Sequence, residues 1–271
     1  MSFLLKLAEA MKSRDSIVCV GLDPEPDRIP GELGGGPQAA LRFLRRIVRA
    51  TSDHVCCYKP NLAFFERYGP AGIDLLVLTL QTIPNDIPVI LDAKRGDVPN
   101  TAAAYAEALF TRLKADAATV APYVGLDAVE PFCERGYVLL LARTSNPGAG
   151  DMQDLRVEDG RPVYEHIVER AVARFPADRL GFVVGATYPE EARRLRAIAP
   201  DRMFLMPGVG SQGGDVATAI RSALDANAGG VLPSASRSVL YASGGSDYEL
   251  AAERAVKELK EQANAARTVH V

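Results

Sequence analysis

Residues 88–100 of the chain, PVILDAKRGDVPN, run from an apolar segment into a cluster of charges. The apolar half is continuous rather than alternating, which is typical of a parallel strand buried on both faces. Four charged residues follow within six positions, and Pro99 then begins a segment with helical periodicity. A buried strand that leads through a charged end into a helix is the repeating unit of an α/β fold, so this stretch predicts one.

The same pattern recurs along the whole chain. Seven further apolar runs lie at residues 16–23, 55–62, 117–123, 137–144, 180–187, 202–209 and 229–236. Helical segments separate most of them, and an amphipathic segment precedes the first. Eight alternations without a change of composition predict a single (β/α)8 barrel domain over residues 1–271, with an additional N-terminal helix. A doubly wound open sheet is the alternative that the pattern leaves open.

Composition and charge narrow the class of protein. The chain has 271 residues, a net charge of −3 and 48% apolar residues, with both signs of charge interspersed. This gives no indication of binding to nucleic acid or to a membrane surface. The N-terminal segment lacks the long apolar core and cleavage site of a signal peptide, and no run of about 18 apolar residues would span a membrane, so we expect neither feature. Four cysteines without a C-x-x-C pair indicate a reducing compartment, so we expect a cytoplasmic protein.

Polar residues stand where the predicted strands end. In a barrel, the loops that follow the strands form the active-site face. Asp92 and Lys94 are two residues apart on one strand and should share a face. A desolvated ion is costly unless it is paired, so each needs a partner at the barrel mouth. A purely structural ion pair at the rim remains an alternative, and Asp97 alone could instead be a helix N-cap.

The loop at residues 206–215, MPGVGSQGGD, suggests a phosphate site. Its glycines formally match the G-x-G-x-x-G dinucleotide fingerprint, but no acidic residue ends the next strand. Barrels often bind phosphate with the loops after strands seven and eight, which here would supply Gln212 and Arg237. A plain glycine-rich turn beside a surface arginine is the alternative.

Several motifs, taken in order, resemble one enzyme family. They are GLDP (21–24), YKPNLAFFE (58–66), DAKRGD (92–97), TSNPGA (144–149), PGVGSQGGD (207–215) and ASRS (235–238). As a set they resemble orotidine 5′-phosphate decarboxylase from about residue 17 to 240. The DAKRGD and KPNLAFFE motifs resemble those of its long-chain bacterial branch, also called type 2 or mycobacterial-type. The resemblance implies a homodimeric barrel that converts orotidine 5′-monophosphate to UMP and CO2 without metal or cofactor, as the last step of de novo pyrimidine synthesis.

The resemblance also implies catalytic roles. Lys94 resembles the lysine that protonates C6 as CO2 leaves, and Asp92 resembles the carboxylate that faces the substrate carboxylate. Lys59 resembles the lysine that joins this charge network and reaches the ribose. Asp97 and Thr101 resemble residues that reach into the site of the neighbouring subunit.

The implied binding residues lie around the rest of the mouth. Asp23 resembles the aspartate that binds the ribose hydroxyls, and Asn61 belongs with the substrate-binding residues. Ser145 resembles the serine that contacts the pyrimidine, while Gln212 and Arg237 resemble the phosphate ligands.

Two features depart from the family pattern. Much of the family has a glycine before the phosphate-binding arginine, whereas this chain has Ser236. The loop at 150–162 is longer than in the short-chain branch, so the resemblance assigns it no contacts; long loops of this kind tend to be lids or binding loops.

The chemistry explains why so many charges would be gathered here. Loss of CO2 leaves a carbanion at C6 that the ring delocalises poorly, and no motif offers a cofactor as an electron sink. A preorganised ammonium at Lys94 could both stabilise that charge and donate a proton. Acidic neighbours would keep the ammonium charged, which predicts an alternating array of Lys59, Asp92, Lys94 and Asp97.

Two rival functions remain open on the sequence. One is a related phosphosugar barrel, such as a keto-gulonate phosphate decarboxylase, which would need Mg²⁺ and further carboxylates around it. The other is a nucleotide-binding barrel without catalytic activity. Sensitivity to a chelator distinguishes the first, and turnover of orotidine 5′-phosphate distinguishes the second.

Overall fold

A computed structural model describes residues 1–209 and 216–268 and contains one eight-stranded parallel sheet. Each strand lies within one of the eight apolar runs of the sequence. The strands are β1 (Cys19–Gly21), β2 (Cys57–Lys59), β3 (Ile90–Arg95), β4 (Ala117–Val120), β5 (Tyr137–Leu141), β6 (Leu180–Val183), β7 (Phe204–Pro207) and β8 (Val231–Ala235). Nearly all of their residues are buried, as continuous apolar strands require.

The sheet closes on itself between β2 and β3. The order of hydrogen-bonded strands is β2-β1-β8-β7-β6-β5-β4-β3. At the junction, Tyr58 N donates to Pro88 O at 3.1 Å and Asp92 N donates to Pro60 O at 2.9 Å. Both edge strands are therefore paired, which confirms the (β/α)8 barrel and makes the doubly wound alternative wrong.

Helices surround the barrel. They are α1 (Phe3–Arg14), α2 (Gly36–Thr51), α3 (Leu62–Glu66), α4 (Pro70–Leu80), α5 (Pro99–Ala106), α6 (Glu130–Arg135), α7 (Val163–Arg174), α8 (Pro189–Ile198), α9 (Val216–Ala223), α10 (Arg237–Leu240) and α11 (Tyr248–Thr268). A π-helical segment, Glu107–Arg112, continues α5. In α2 the buried residues recur every three or four positions, so one apolar stripe faces the sheet. Within the described residues no helix combines the length and apolar character needed to cross a membrane.

Helix α1 closes one end of the barrel, as the predicted additional N-terminal helix. Phe3 and Leu7 are buried against the residues that fill the barrel interior. The Phe3 ring lies 4.9 Å from the ring of Tyr137, at the start of β5, and Lys6 forms an ion pair with Asp116, just before β4. Because α1 covers the ends where strands begin, the ends where strands finish form the open mouth.

Candidate active site

A cavity of about 280 Å³ opens at the carboxyl ends of the strands. Its walls come from strand ends and from the loops that follow them: Asp23, Glu25, Lys59, Phe64, Ser145, Pro207, Gly208, Ser234, Ala235, Ser236 and Arg237. A larger groove of about 1280 Å³ runs along α7 on the outside of the barrel and contains none of the predicted site residues. The smaller cavity is lined by predicted site residues and lies at the end of the barrel where active sites occur, so it is the candidate site.

The Asp92 carboxylate joins two lysines beside this cavity. Lys59 Nζ donates to Asp92 Oδ2 at 3.1 Å, and Lys94 Nζ donates to Asp92 Oδ1 at 2.5 Å. Two neutral donors complete the set, since Thr119 Oγ1 lies 2.9 Å from Oδ1 and Asn61 Nδ2 lies 3.2 Å from Oδ2. Three of the four members of the predicted charge array are thus in direct contact.

The backbone at Lys94 departs from a regular strand. Lys94 has a positive φ of 46°, and the pairing of β3 with β4 shifts register between Leu91 and Arg95. Its N–H donates to Thr119 Oγ1 at 2.9 Å, which anchors the irregular segment to β4. A left-handed conformation at a residue other than glycine costs about 1–3 kcal/mol, and at a strand end beside a cavity it is consistent with a functional site.

The two lysines differ in their exposure to solvent. The Lys59 side chain is 6% exposed, whereas that of Lys94 is 48% exposed. Lys59 is therefore a buried, ion-paired cation in the cavity wall. Lys94 keeps an accessible ammonium group that a bound molecule could contact.

Electrostatics keep Asp92 and Lys59 charged. Burial by itself would raise the pKa of Asp92, but the charges of Lys59 and Lys94 and the hydrogen bonds from Lys94 and Thr119 outweigh it and lower that pKa well below its ordinary value. Burial by itself would lower the pKa of Lys59, but Asp92 and Asp23 outweigh it and raise that pKa. Both directions favour the ionised pair at neutral pH.

The ends of β1 and β2 are bound to each other and to the C-terminal part of the chain. Asn61 N donates to Asp23 Oδ1 at 3.1 Å, and Asn61 Oδ1 caps α3 by accepting from Ala63 N. Tyr241 Oη donates to the Asp23 carbonyl at 3.0 Å and accepts from Glu25 N at 2.5 Å. The predicted residues Asp23 and Asn61 therefore lie together at the mouth, in positions fixed by hydrogen bonds.

Ser145 and Arg237 lie on the same cavity. Arg237 begins α10 directly after β8, and its side chain is exposed. Ser236, the residue before Arg237, lies over Gly21. A methyl group at Gly21 would come within 1.8 Å of Ser236 Oγ, so the hydroxyl occupies space that the glycine leaves free. The predicted phosphate ligand Gln212 lies outside the described residues.

Asp97 and Thr101 stay apart from the charge array. Asp97 Oδ1 accepts from Val98 N, and Thr101 contacts Asn100. Among the described residues, the ion-pair partner of both Lys59 and Lys94 is Asp92 and not Asp97. The N-cap of α5 is Val98, which makes no side-chain capping bond, so the N-cap alternative for Asp97 is wrong.

Sequence reasoning missed several residues of the site. Thr119 is the one polar residue in the AATV stretch of β4, and that isolated hydroxyl was the available signal. Tyr241 lies in a segment without strand character, so nothing in the sequence pointed to its bonds with the β1 loop. Phe64 and Glu25 line the cavity but resemble ordinary helix and turn residues. Across residues 1–209 and 216–268, no three His, Cys, Asp or Glu side chains are grouped so as to hold a metal ion.

Comparisons with known proteins agree with this geometry. The profile of the Orotidine 5'-phosphate decarboxylase / HUMPS family matches residues 16–255. The chain belongs to this family. It is 45% identical to the orotidine 5'-phosphate decarboxylase of Thermomicrobium roseum, over 96% of this chain and 94% of that protein. It is 44% identical to that of Roseiflexus castenholzii, over 98% of each chain. The solved structure of the Leishmania donovani OMP decarboxylase is similar with a TM-score of 0.87 and 38% identity, over 99% of each chain.

The close approach of Gly21 and Ser236 in this decarboxylase-family chain is testable by a double-mutant cycle. We expect Gly21→Ala to lower the free energy of unfolding by about 1–3 kcal/mol, because the new methyl group overlaps Ser236 Oγ. In a Ser236→Gly background the same change should cost less than half as much. Urea titrations of the four proteins measure both values. Gly31→Ala, in open space, is the matched control, and equal costs in the two backgrounds would contradict the overlap.

The charge state of Asp92 is testable by NMR. Because its folded pKa lies below the unfolded value of about 3.9, its ionisation stabilises the fold above that pH and the contribution is lost as pH falls through the folded pKa. We expect the Asp92 carboxyl carbon, assigned with Asp92→Asn, to show no titration between about pH 7 and pH 4. A titration midpoint at or above about pH 4 would show that the two lysines do not hold the carboxylate ionised.

Proposed function

We propose that this protein decarboxylates orotidine 5′-monophosphate to UMP and CO2, the last step of de novo UMP biosynthesis. The observation that carries the proposal is the Asp92 carboxylate held between Lys59 and Lys94 at the mouth of the barrel. Family membership and 45% identity to a protein named for this activity support it. We further propose that residues 1–271 form one domain, that the protein is cytoplasmic and that it belongs to the long-chain bacterial branch.

The cavity offers a binding position for each part of a nucleotide. The exposed guanidinium of Arg237 at one side suits a phosphate, which it can bind through two parallel hydrogen bonds. Gln212, which follows β7 in the sequence, is proposed as the second phosphate ligand. Asp23 and Asn61 at the ends of β1 and β2 suit the ribose hydroxyls. Ser145, at the end of β5, suits the pyrimidine ring.

The charge array supplies the chemistry. When the C6–CO2 bond breaks, its electron pair stays on C6, and CO2 leaves uncharged. An ammonium already fixed by Asp92 stabilises that pair without reorganisation and can then transfer a proton from Lys94 Nζ to C6. The buried Lys59 offsets the negative charge of Asp92 from the other side, so that the carboxylate stays ionised near an anionic substrate.

We also propose that the protein acts as a homodimer in which Asp97 and Thr101 complete the site of the neighbouring subunit. Within the part of the chain that the structure describes, neither residue is hydrogen-bonded to the array, although Asp97 lies in the loop after β3 and Thr101 lies in the first turn of α5. The rim beside them carries exposed apolar side chains, Val98 at 51% and Tyr123 at 85% exposure. Exposed apolar side chains at a polar rim favour contact with a partner.

Direct assay distinguishes the proposal from its rivals. Purified protein should decarboxylate orotidine 5′-monophosphate, seen as loss of the orotate chromophore, and dialysis against EDTA should leave the rate unchanged. Loss of activity on chelation, restored by Mg²⁺, would favour a metal-dependent phosphosugar reaction. Binding of UMP without turnover would favour the non-catalytic nucleotide-binding barrel.

Lys94→Ala tests the proposed catalytic residue. The change removes both the fixed positive charge and the proton donor, so we expect kcat to fall at least about 10⁴-fold. Affinity for UMP should stay within about tenfold, because the phosphate and ribose contacts remain. Steady-state kinetics and calorimetry measure the two quantities. Lys12→Ala on α1, at the opposite end of the barrel, is the control, and near-normal turnover by the Lys94 variant would refute the mechanism.

Mixed dimers test whether Asp97 serves the neighbouring site. Lys94→Ala and Asp97→Ala chains, co-expressed with different tags, should form heterodimers with one intact site and therefore about half the wild-type rate per dimer, although each parent is inactive. Lys94→Ala paired with Lys59→Ala is the matched control, because both residues contact Asp92 of the same chain and no intact site can form. Equal inactivity of both heterodimers would mean that Asp97 does not act across an interface.

A further inference from the structure

The long loop after β5 folds back onto the strand end that it leaves. It contains a short 3₁₀ turn, Pro147–Asp151, and a bridge between Arg156 and Pro162. Between these two features, Gln153 and Asp154 face the end of β5 and contact Arg143 and Thr144 there. This is the segment to which the family resemblance assigns no contacts.

Gln153 binds Thr144 through both ends of its amide. Its Oε1 accepts from Thr144 N at 2.8 Å, and its Nε2 donates to Thr144 Oγ1 at 3.0 Å. The Gln153 backbone is anchored in turn, because its N–H donates to Ala149 O at 2.8 Å and its carbonyl accepts from Tyr164 N at 3.2 Å. The side chain therefore connects Thr144, just after β5, to a fixed point at the start of α7.

Arg143 binds the carbonyl side of Thr144. Its Nη1 donates to the Thr144 carbonyl at 2.6 Å, and the guanidinium is buried against the ring of Tyr188, 4.0 Å from its centroid. Asp154 orients that guanidinium, with Nη2–Oδ2 and Nε–Oδ1 separations of 3.0 and 2.8 Å. The N–H of Thr144 belongs to the peptide before it and its C=O to the peptide that leads into Ser145, so Gln153 and Arg143 fix the two peptide planes on either side of the Thr144 Cα.

Ser145 itself lies in a narrow space between two glycines. A methyl group at Gly185 would lie 2.6 Å from Ser145 N, and one at Gly208 would lie 3.7 Å from Ser145 Oγ. The neighbouring backbone therefore prevents Ser145 from moving towards β6. Its remaining freedom is rotation about the backbone bonds of Thr144, and the contacts of Gln153 with the Thr144 N–H and of Arg143 with the Thr144 C=O restrict that rotation.

We propose that Gln153 is a positioning residue that fixes Ser145 against the pyrimidine ring of the substrate. The inference rests on the proposed function, in which Ser145 contacts the base. Gln153 does not line the cavity, so it acts through Thr144 and not on the substrate. The loop after β5 is then a support for base recognition rather than a free connection.

A base-free ligand separates this role from a general structural one. UMP carries the pyrimidine, ribose and phosphate, whereas ribose 5-phosphate lacks the ring that Ser145 would contact. Removing the Gln153 amide should weaken UMP binding at least about tenfold, because small displacements of a contact group are costly. Affinity for ribose 5-phosphate should change less than about twofold. Loosening of the whole site would weaken both ligands.

Calorimetry on Gln153→Ala and Gln153→Glu provides the test. Glutamate can still accept from Thr144 N and Oγ1, so it should restore most of the UMP affinity that alanine loses. In a Ser145→Ala background, Gln153→Ala should cause no further loss. Asp159→Ala is the matched control in the same loop, because Asp159 contacts Arg161 and His166 and not Thr144. Gln153→Met gives the same comparison if the alanine variant fails to fold.

The outcomes are distinct. Equal loss of both ligands, no loss of UMP affinity, or a full further loss in the Ser145→Ala background would overturn the positioning role. Wild-type protein that binds UMP and decarboxylates orotidine 5′-monophosphate keeps the proposed function intact in each of those cases. Wild-type protein that does neither overturns the proposed function, and the positioning role with it.

Discussion

The site depends on one carboxylate between two ammonium groups. Lys59 and Lys94 carry like charges and lie close together in a partly desolvated region at the strand ends. Without Asp92 this arrangement would be unstable, because an unpaired buried ion costs several kcal/mol. Asp92 in turn stays ionised because both lysines and Thr119 contact it. Removing Asp92 would leave the buried Lys59 without its ion-pair partner and Lys94 without its anchor, so the three charges form one unit.

The barrel is what brings these groups within contact distance. Lys59, Asp92 and Thr119 lie on β2, β3 and β4, which are neighbours because the sheet closes at β2 and β3. Helix α1 seals the opposite end, so the charged groups have solvent on one side only. The irregular backbone at Lys94 directs a half-exposed ammonium back to Asp92, and the surrounding pairing offsets its cost.

The strands and much of the site could be predicted from the sequence. Continuous apolar runs with polar ends identified all eight strands, and the two-residue spacing of Asp92 and Lys94 predicted that they share a face, where the structure has them in contact. The interpretation of Asp97 as an N-cap was wrong because α5 begins one residue later. Thr119, Tyr241 and Gln153 were missed because their partners lie on other strands or across a loop, where spacing along the chain carries no information.

The sequence by itself determined which residues are buried, where each strand ends and which charges stand at those ends, because burial and periodicity are local properties of the chain. The tertiary structure alone decided that the sheet closes, that Lys59 and Lys94 share one carboxylate, that Ser236 fits over Gly21 and that Gln153 reaches back to Thr144. Each of these is a contact between distant segments, and its geometry depends on strand register and on the approach of one backbone to another.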